Sequence, residues 1–216
     1  MALISDGDKK IIKEEFFSKL INPVKIIVFT GKEHCQYCDQ LKQLVEEIGK
    51  LSNLISYEVH DFDNEKELAE KYRIDRAPAT VITQDGKDLG VRYFGLPAGH
   101  EFGSFLEDIV DVSRGETDLE KDTKEAIRSI EKDVEIYVFV TPTCPYCPIA
   151  VRTAHHLAIE NEKIVSDMIE ALEFPHLASR YQVMAVPKIV INDKISFEGA
   201  VPEHVFVDYV LAAIKS

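Results

Sequence analysis

An internal offset of 109 residues constrains this chain more than any other feature. Its four cysteines form two groups, Cys35-Gln36-Tyr37-Cys38 and Cys144-Pro145-Tyr146-Cys147, at that separation. Ala77-Pro78 stands behind the first group as Val186-Pro187 stands behind the second. Residues 68–74 and 177–183 match in their apolar and aromatic positions, as do Val81-Ile82 and Val190-Ile191. A four-residue motif can recur by accident. A motif with a proline behind it in matching register marks a duplicated unit. The 216 residues are therefore read as two units, 1–116 and 117–216, each of ordinary domain size.

A unit of that size can bury a core without covalent staples, and no cysteine lies outside the two motifs to form one. With 45% hydrophobic and 29% charged residues, the chain has the composition of a soluble globular protein. Residues 1–8 lack a basic stretch followed by a long apolar one, so neither a signal peptide nor an anchor is expected, and no membrane span. The expected location is a reducing cytoplasm, where paired cysteines are more often catalytic or metal-binding than structural. A net charge of −13 argues against nucleic acid, which is bound mainly through cations on phosphate.

Hydrophobic periodicity predicts strands at 24–30, 55–62, 79–83 and 89–94, with helices at 9–20, 40–48, 65–72 and 102–112. The second copy repeats this, with strands at 135–140, 164–169, 188–191 and 195–197. Its helices fall at 121–130, after the second cysteine pair, up to Tyr181, and at 205–214. Asp85-Gly86 and Asn192-Asp193 supply the hairpin turns. Each unit then reads α-β-α-β-α-β-β-α, a mixed four-stranded sheet flanked by helices. The junction, 113–118, is short and lacks a flexible composition, so the units are expected to pack together.

A cysteine where a strand gives way to a helix meets free backbone N–H groups and the positive end of the helix dipole. That lowers its pKa from ~8.5 to ~7 or below and populates the nucleophilic thiolate. Two intervening residues bring a second thiol within reach but facing inward. Cys35 and Cys144 are therefore expected to attack, and Cys38 and Cys147 to resolve the mixed disulfide. Pro78 and Pro187 are expected to be cis and to turn the backbone of Ala77 and Val186 toward the sulfurs as a substrate-pairing edge.

Both cysteine motifs resemble the thioredoxin/glutaredoxin superfamily, and the likeness covers nearly the whole chain twice. With Arg76-Ala77-Pro78-Ala79-Thr80 and Met184-Ala185-Val186-Pro187, they look most like the protein disulfide oxidoreductases of hyperthermophilic archaea, glutaredoxin-like proteins with two fused thioredoxin folds. The resemblance implies two tandem α/β thioredoxin-like folds that reduce, oxidise and isomerise protein disulfides. It implies no bound cofactor. The redox-active disulfides would be recharged from NADPH by a flavin-dependent thioredoxin reductase. Its partners would be thiol- and disulfide-containing proteins. An electron-shuttle or docking module for a peroxiredoxin system is the alternative, although here both copies keep their cysteines. One departure is plain: the strands before the cysteines carry no buried acid of the kind thioredoxins use to assist the resolving thiol.

Other readings fare worse. One four-thiolate zinc site would need its two pairs close in sequence, and 105 residues separate them, so no metal is expected. His155-His156, adjacent on a helix, are expected to be ordinary surface or boundary residues. His34 and Arg76 flank the first pair and are candidates for tuning Cys35. The second site is expected to be the more oxidising. With Cys144 as N-cap, Pro145 would open the helix and Pro148 would remove its first internal hydrogen bond. Asp39, at the matching place, would repel the Cys35 thiolate.

Overall fold

In the computed structural model, which describes residues 2–32 and 35–215, the two expected four-stranded sheets join edge to edge into one. The first unit lays out β2 (Ile55–Asp61), β1 (Val24–Thr30), β3 (Ala79–Gln84) and β4 (Lys87–Phe94) in that order. The second repeats it with β6 (Ile164–Glu170), β5 (Val134–Val140), β7 (Lys188–Ile191) and β8 (Ile195–Glu198). Within each unit one pair is parallel and two are antiparallel. At the seam β4 and β6 run parallel, from Val91 opposite Ser166 to Phe94 opposite Ile169.

The strands follow from near-continuous apolar sequence, as expected where both faces of a sheet are covered. Burial separates the two copies. β2 is an outer edge, mostly exposed, and Lys25 pairs with Glu58 at 2.7 Å along it. A charged pair of that kind blunts an edge against further pairing. β6, its equivalent by the 109-residue offset, is buried along its whole length. The two core clusters, one on each face, both run through the seam. One of them brings Phe29 and Phe94 together with Phe139, Ile169 and Phe174.

The first helix differs from the expected 9–20. It begins at Asp6, capped by the Ser5 hydroxyl, which accepts the Asp8 N–H at 3.1 Å. α1 (Asp6–Ile11) then widens to a π turn over Ile12–Phe16 and tightens to a 3₁₀ turn over Phe17–Lys19. Ile12 and Phe17, five residues apart, both face the core, a spacing that a π turn aligns. The remaining helices are α2 (Cys38–Gly49), α3 (Lys66–Lys71), α4 (Glu101–Arg114), α5 (Lys121–Arg128), α6 (Cys147–Glu160), α7 (Pro175–Arg180) and α8 (Glu203–Lys215). α4 stops at Gly115 in the left-handed conformation.

α4 of the first unit packs on α6 of the second through buried polar groups. Arg152 reaches Glu107 at 2.9 Å, Asp111 at 2.7 Å and Asp108 at 3.5 Å. His155 and His156 are buried in the same contact, which corrects their placement at the surface. His155 Nε2 lies 3.2 Å from the Arg92 carbonyl oxygen and its Nδ1 2.6 Å from Asp108, so the ring is held from both sides. The Tyr93 hydroxyl also donates to Asp108. Burial alone would raise the Asp111 carboxyl, yet the His156 hydrogen bond and the Arg152 charge hold it low. Asp108, Asp111 and His156 lie close enough to share a metal ion, but the Arg152 guanidinium contacts all three.

Gly90 (φ +79°) lets β4 approach β6, since a Cβ there would lie 2.4 Å from the Ile164 carbonyl oxygen. Gly86 (φ +82°), in the hairpin turn, has nothing within 4 Å. Gly86→Ala should therefore cost only the left-handed strain, about 1–2 kcal/mol. Gly90→Ala should cost about 1–3 kcal/mol more, because the seam itself must move. Arg152→Leu strands two buried carboxylates and should cost about 3–5 kcal/mol. Urea titrations of the three variants check this; a Gly90→Ala protein no less stable than Gly86→Ala would show that the seam yields freely.

Candidate active sites

Each cysteine pair sits where its strand hands over to a helix. α2 starts at Cys38, and its buried stripe of Leu41, Leu44, Val45 and Ile48 fixes the helix on the sheet. α6 starts at Cys147 in the same way, with Ala150, Val151 and Ala154 buried. Both pairs are closed as disulfides, with Cα atoms 5.4 and 5.5 Å apart. Cys35 is half-buried and Cys38 buried; at the second site Cys144 is 7% exposed and Cys147 not at all. Exposure thus follows the expected division into attacking and resolving thiols, by a small margin at the second site.

The proline loops lie against the sulfurs. Ala77-Pro78 and Val186-Pro187 are both cis, as expected. The Val186 carbonyl oxygen is 3.6 Å from Cys144 Sγ, and the Cys147 N–H donates to that sulfur at 3.2 Å. A backbone donor aimed at the attacking sulfur stabilises its thiolate. At the first site, Cys35, Arg76 and Pro78 form one wall of a groove of about 690 Å³. The opposite wall is Leu172, Glu173 and His176, all from the second unit.

The tuning candidates fare unevenly. His34 lies outside the described residues. Asp39 is 95% exposed on its side chain and 3.7 Å from Lys42, so solvent and a counter-charge screen it from Cys35. Arg76 lines the first groove, but its guanidinium pairs with Asp75 at 2.5 Å and sits between the rings of Phe94 and, across the seam, Tyr137. The expected strain from Pro148 is absent. Because α6 begins at Cys147, not after Cys144, Pro148 falls in the first turn, where an N–H has no intrahelical partner in any case. Pro145 is exposed ahead of that turn.

Two buried acids lie close to the seam. Glu101, in the first turn of α4, is 1% exposed, and Ser104 is the polar neighbour that favours its charged form. The N–H of the preceding His100 donates at 3.1 Å to the carbonyl of Pro142, two residues before Cys144. Burial, reinforced by the charge of Asp108, pushes Glu101 up to about 8. Glu173, in the first-site groove, accepts the Leu96 N–H at 2.7 Å. Burial and the neighbouring Glu170 push it up to about 7. The first site is therefore edged by a carboxyl of the opposite unit, raised toward neutrality. The sequence carries no signal for either, since Glu101 reads as an ordinary helix-start acid and Glu173 stands where the first copy has Asn64.

Asp167 in β6 is likewise raised by burial to about 7. Carboxyls raised in the folded chain keep protons that the unfolded chain releases, so each costs stability as pH climbs from its ordinary value to its raised one. Folding stability should fall between about pH 4.5 and about 8 and level off above, given the Glu101 shift from 4.5 to about 8. Glu101→Gln and Asp167→Asn should flatten the slope, gaining more relative to the parent at pH 8 than at pH 5. Urea midpoints across that range test it; a parent stability that rises with pH contradicts the assignment.

Residues 19–109 match the family described as Thioredoxin-like domain, and residues 134–212 the Thioredoxin domain. The crystal structure of a protein disulfide oxidoreductase from Aeropyrum pernix K1 shares 33% identity and superposes with a TM-score of 0.90, covering 98% of this chain and 94% of that one. The NTD_N/C domain of alkylhydroperoxide reductase AhpF from Enterococcus faecalis superposes at 0.88 with 23% identity, covering 96% and 99%. The F component of the alkyl hydroperoxide reductase of Xanthomonas campestris pv. phaseoli is 27% identical over 74% of this chain and 28% of its own length. NADH dehydrogenase of Bacillus subtilis is 23% identical over 88% and 35%. The chain spans about a third of the length of these curated relatives.

Proposed function

Because the chain belongs to the protein disulfide oxidoreductases built from two thioredoxin-like units, we propose that it exchanges disulfides with protein substrates at both cysteine pairs, acting as reductant, oxidant and isomerase. The boundary between its units falls after Glu116. The observation that carries the reading is the second-site geometry. Cys144 Sγ is met by the Cys147 N–H at 3.2 Å and lies 3.6 Å from the Val186 carbonyl oxygen, so the sulfur that attacks is held beside a substrate-pairing backbone.

In the reducing direction the Cys144 thiolate attacks one sulfur of a substrate disulfide. That S–S bond breaks, its second sulfur leaves as a thiolate, and a mixed disulfide joins enzyme to substrate. The Cys147 thiol gives up its proton and displaces the substrate, which departs as a dithiol carrying two electrons. Cys35 and Cys38 act likewise, with Pro78 behind them. Run backward, the same steps oxidise a dithiol.

A cytoplasmic location fits catalytic rather than structural pairs, and no described helix is long and apolar enough to cross a membrane. Recharging from NADPH through a flavin-dependent thioredoxin reductase is the proposed electron source. The likeness to the F component of alkyl hydroperoxide reductases, over most of this chain, supports a second reading, an electron shuttle to a peroxiredoxin. Insulin reduction that proceeds without a peroxiredoxin favours the first; peroxide turnover only in its presence favours the second.

Replacing Cys144 by Ser should remove more activity than replacing Cys35. Cys38→Ser and Cys147→Ser should trap mixed disulfides, visible as mass adducts; adducts on Cys144→Ser but not on Cys147→Ser would reverse the assigned roles. The second site should still be the more oxidising, now because Glu173, raised only to about 7, is partly charged near pH 7 in the groove beside Cys35. Redox titration of Cys35→Ser/Cys38→Ser beside Cys144→Ser/Cys147→Ser should separate the sites by at least about 30 mV. Equal potentials, or a more reducing second site, would defeat that ordering.

A further inference from the structure

Three large apolar side chains stand in water around one catalytic sulfur. Tyr146, Ile149 and Met184 are 65%, 53% and 89% exposed. Tyr146 lies between the two cysteines, and Ile149 two residues past the second. Met184 is on the loop whose Val186 carbonyl oxygen lies 3.6 Å from Cys144 Sγ. In a chain with 29% charged residues, segments 141–151 and 183–187 contain no Asp, Glu, Lys, Arg or His. The duplication supplies the control. At the matching positions the first unit has Tyr37, Gln40 and Asp75, with Lys32, Asp39, Lys42 and Arg76 around them. Its groove is walled by Leu172, Glu173 and His176 of the other unit, so there the exposed apolar side chain, Leu172 at 72%, stands beside an acid and an imidazole.

We propose that the second site is a port for non-native polypeptide, binding cystines flanked by apolar residues, whereas the first site does not select for them. This rests on the disulfide-exchange reading above. The segment lies along the Val186 carbonyl edge, and its apolar side chains cover Ile149 and Met184 while its sulfur faces Cys144. The uncharged surround argues for this occupant. A dedicated folded partner is steered and selected by complementary charge, and none is offered here. Apolar residues beside a cystine are buried in a folded protein and accessible before it folds. A second copy of this chain is the poorer candidate, because three side chains fall well short of the ~1,200 Å² that a stable interface buries.

The test uses full-length Cys35→Ser/Cys38→Ser and Cys144→Ser/Cys147→Ser proteins. Two synthetic peptide disulfides are compared, one with Leu and Phe flanking the cystine and one with Asp and Ser. With only the second site active, kcat/KM should favour the apolar peptide at least tenfold, mainly through KM. With only the first, the ratio should be near one. Adding Ile149→Gln/Met184→Gln to the second-site protein should collapse its ratio. Met184→Asp, which installs the first unit's residue, should lower it alone. A ratio that survives both changes, or one equal at the two sites, overturns the proposal. So does a concentration-dependent dimer that these substitutions dissolve, which would give the patch to a second copy. Failure of the parent protein to reduce even bis(2-hydroxyethyl) disulfide would instead defeat the exchange reading beneath it.

Discussion

The parallel pairing of β4 with β6 is the contact on which the rest of this structure depends. In a unit standing alone, each strand would present an open row of backbone donors and acceptors beside an apolar surface. Val91, Tyr93 and Phe94 on one strand and Ile164, Met168 and Ile169 on the other are fully buried. Joining the edges satisfies both rows at once and makes the two cores continuous across the molecule. It also brings α4 onto α6, so the helix that begins with Cys147 is gripped along its length by the other unit.

The same seam changes the electrostatics of the acids it buries. The duplication provides an internal comparison at one register position. Glu58 in β2 is exposed, and its hydrogen bond to Lys25 holds it low. Asp167 in β6 occupies the equivalent place, and burial raises it to about 7. The residue type is nearly the same, but one strand is an outer edge and the other is central. Glu173 follows the same rule: packed against Leu96 of the first unit and in the groove beside Cys35, it is raised by burial to about 7. Charge-assisted hydrogen bonds such as those of Arg152 to Asp111 and His156 tie the seam together. Burial, as at Glu101, raises a carboxyl toward neutrality.

Much of this is legible in the chain. The 109-residue offset, the strand boundaries at Val24–Thr30 and Lys188–Ile191, the placement of both cysteine pairs at helix starts and the two cis prolines are all readable. The misreadings share a cause. His155 and His156 look like surface residues on an isolated amphipathic helix, and they are buried because α6 has a second partner. The strain assigned to Pro148 requires a helix starting one turn early, a boundary set by how the loop packs on the proline edge. Periodicity makes the first helix look regular, because it does not show the π turn that turns both Ile12 and Phe17 inward.

By itself, the sequence determined two copies of one α/β unit, each with a cysteine pair at a helix start and a proline loop behind it, because these rest on local motifs and periodicities of two and 3.6. It also held the uncharged and charged surrounds that distinguish the sites. Only the tertiary structure decided which edges pair, which acids lose water and which unit completes the other's site. Those are contacts between residues tens of positions apart, and two strands at equivalent places in the repeat, β2 and β6, take opposite fates, one an outer edge and one buried in the seam.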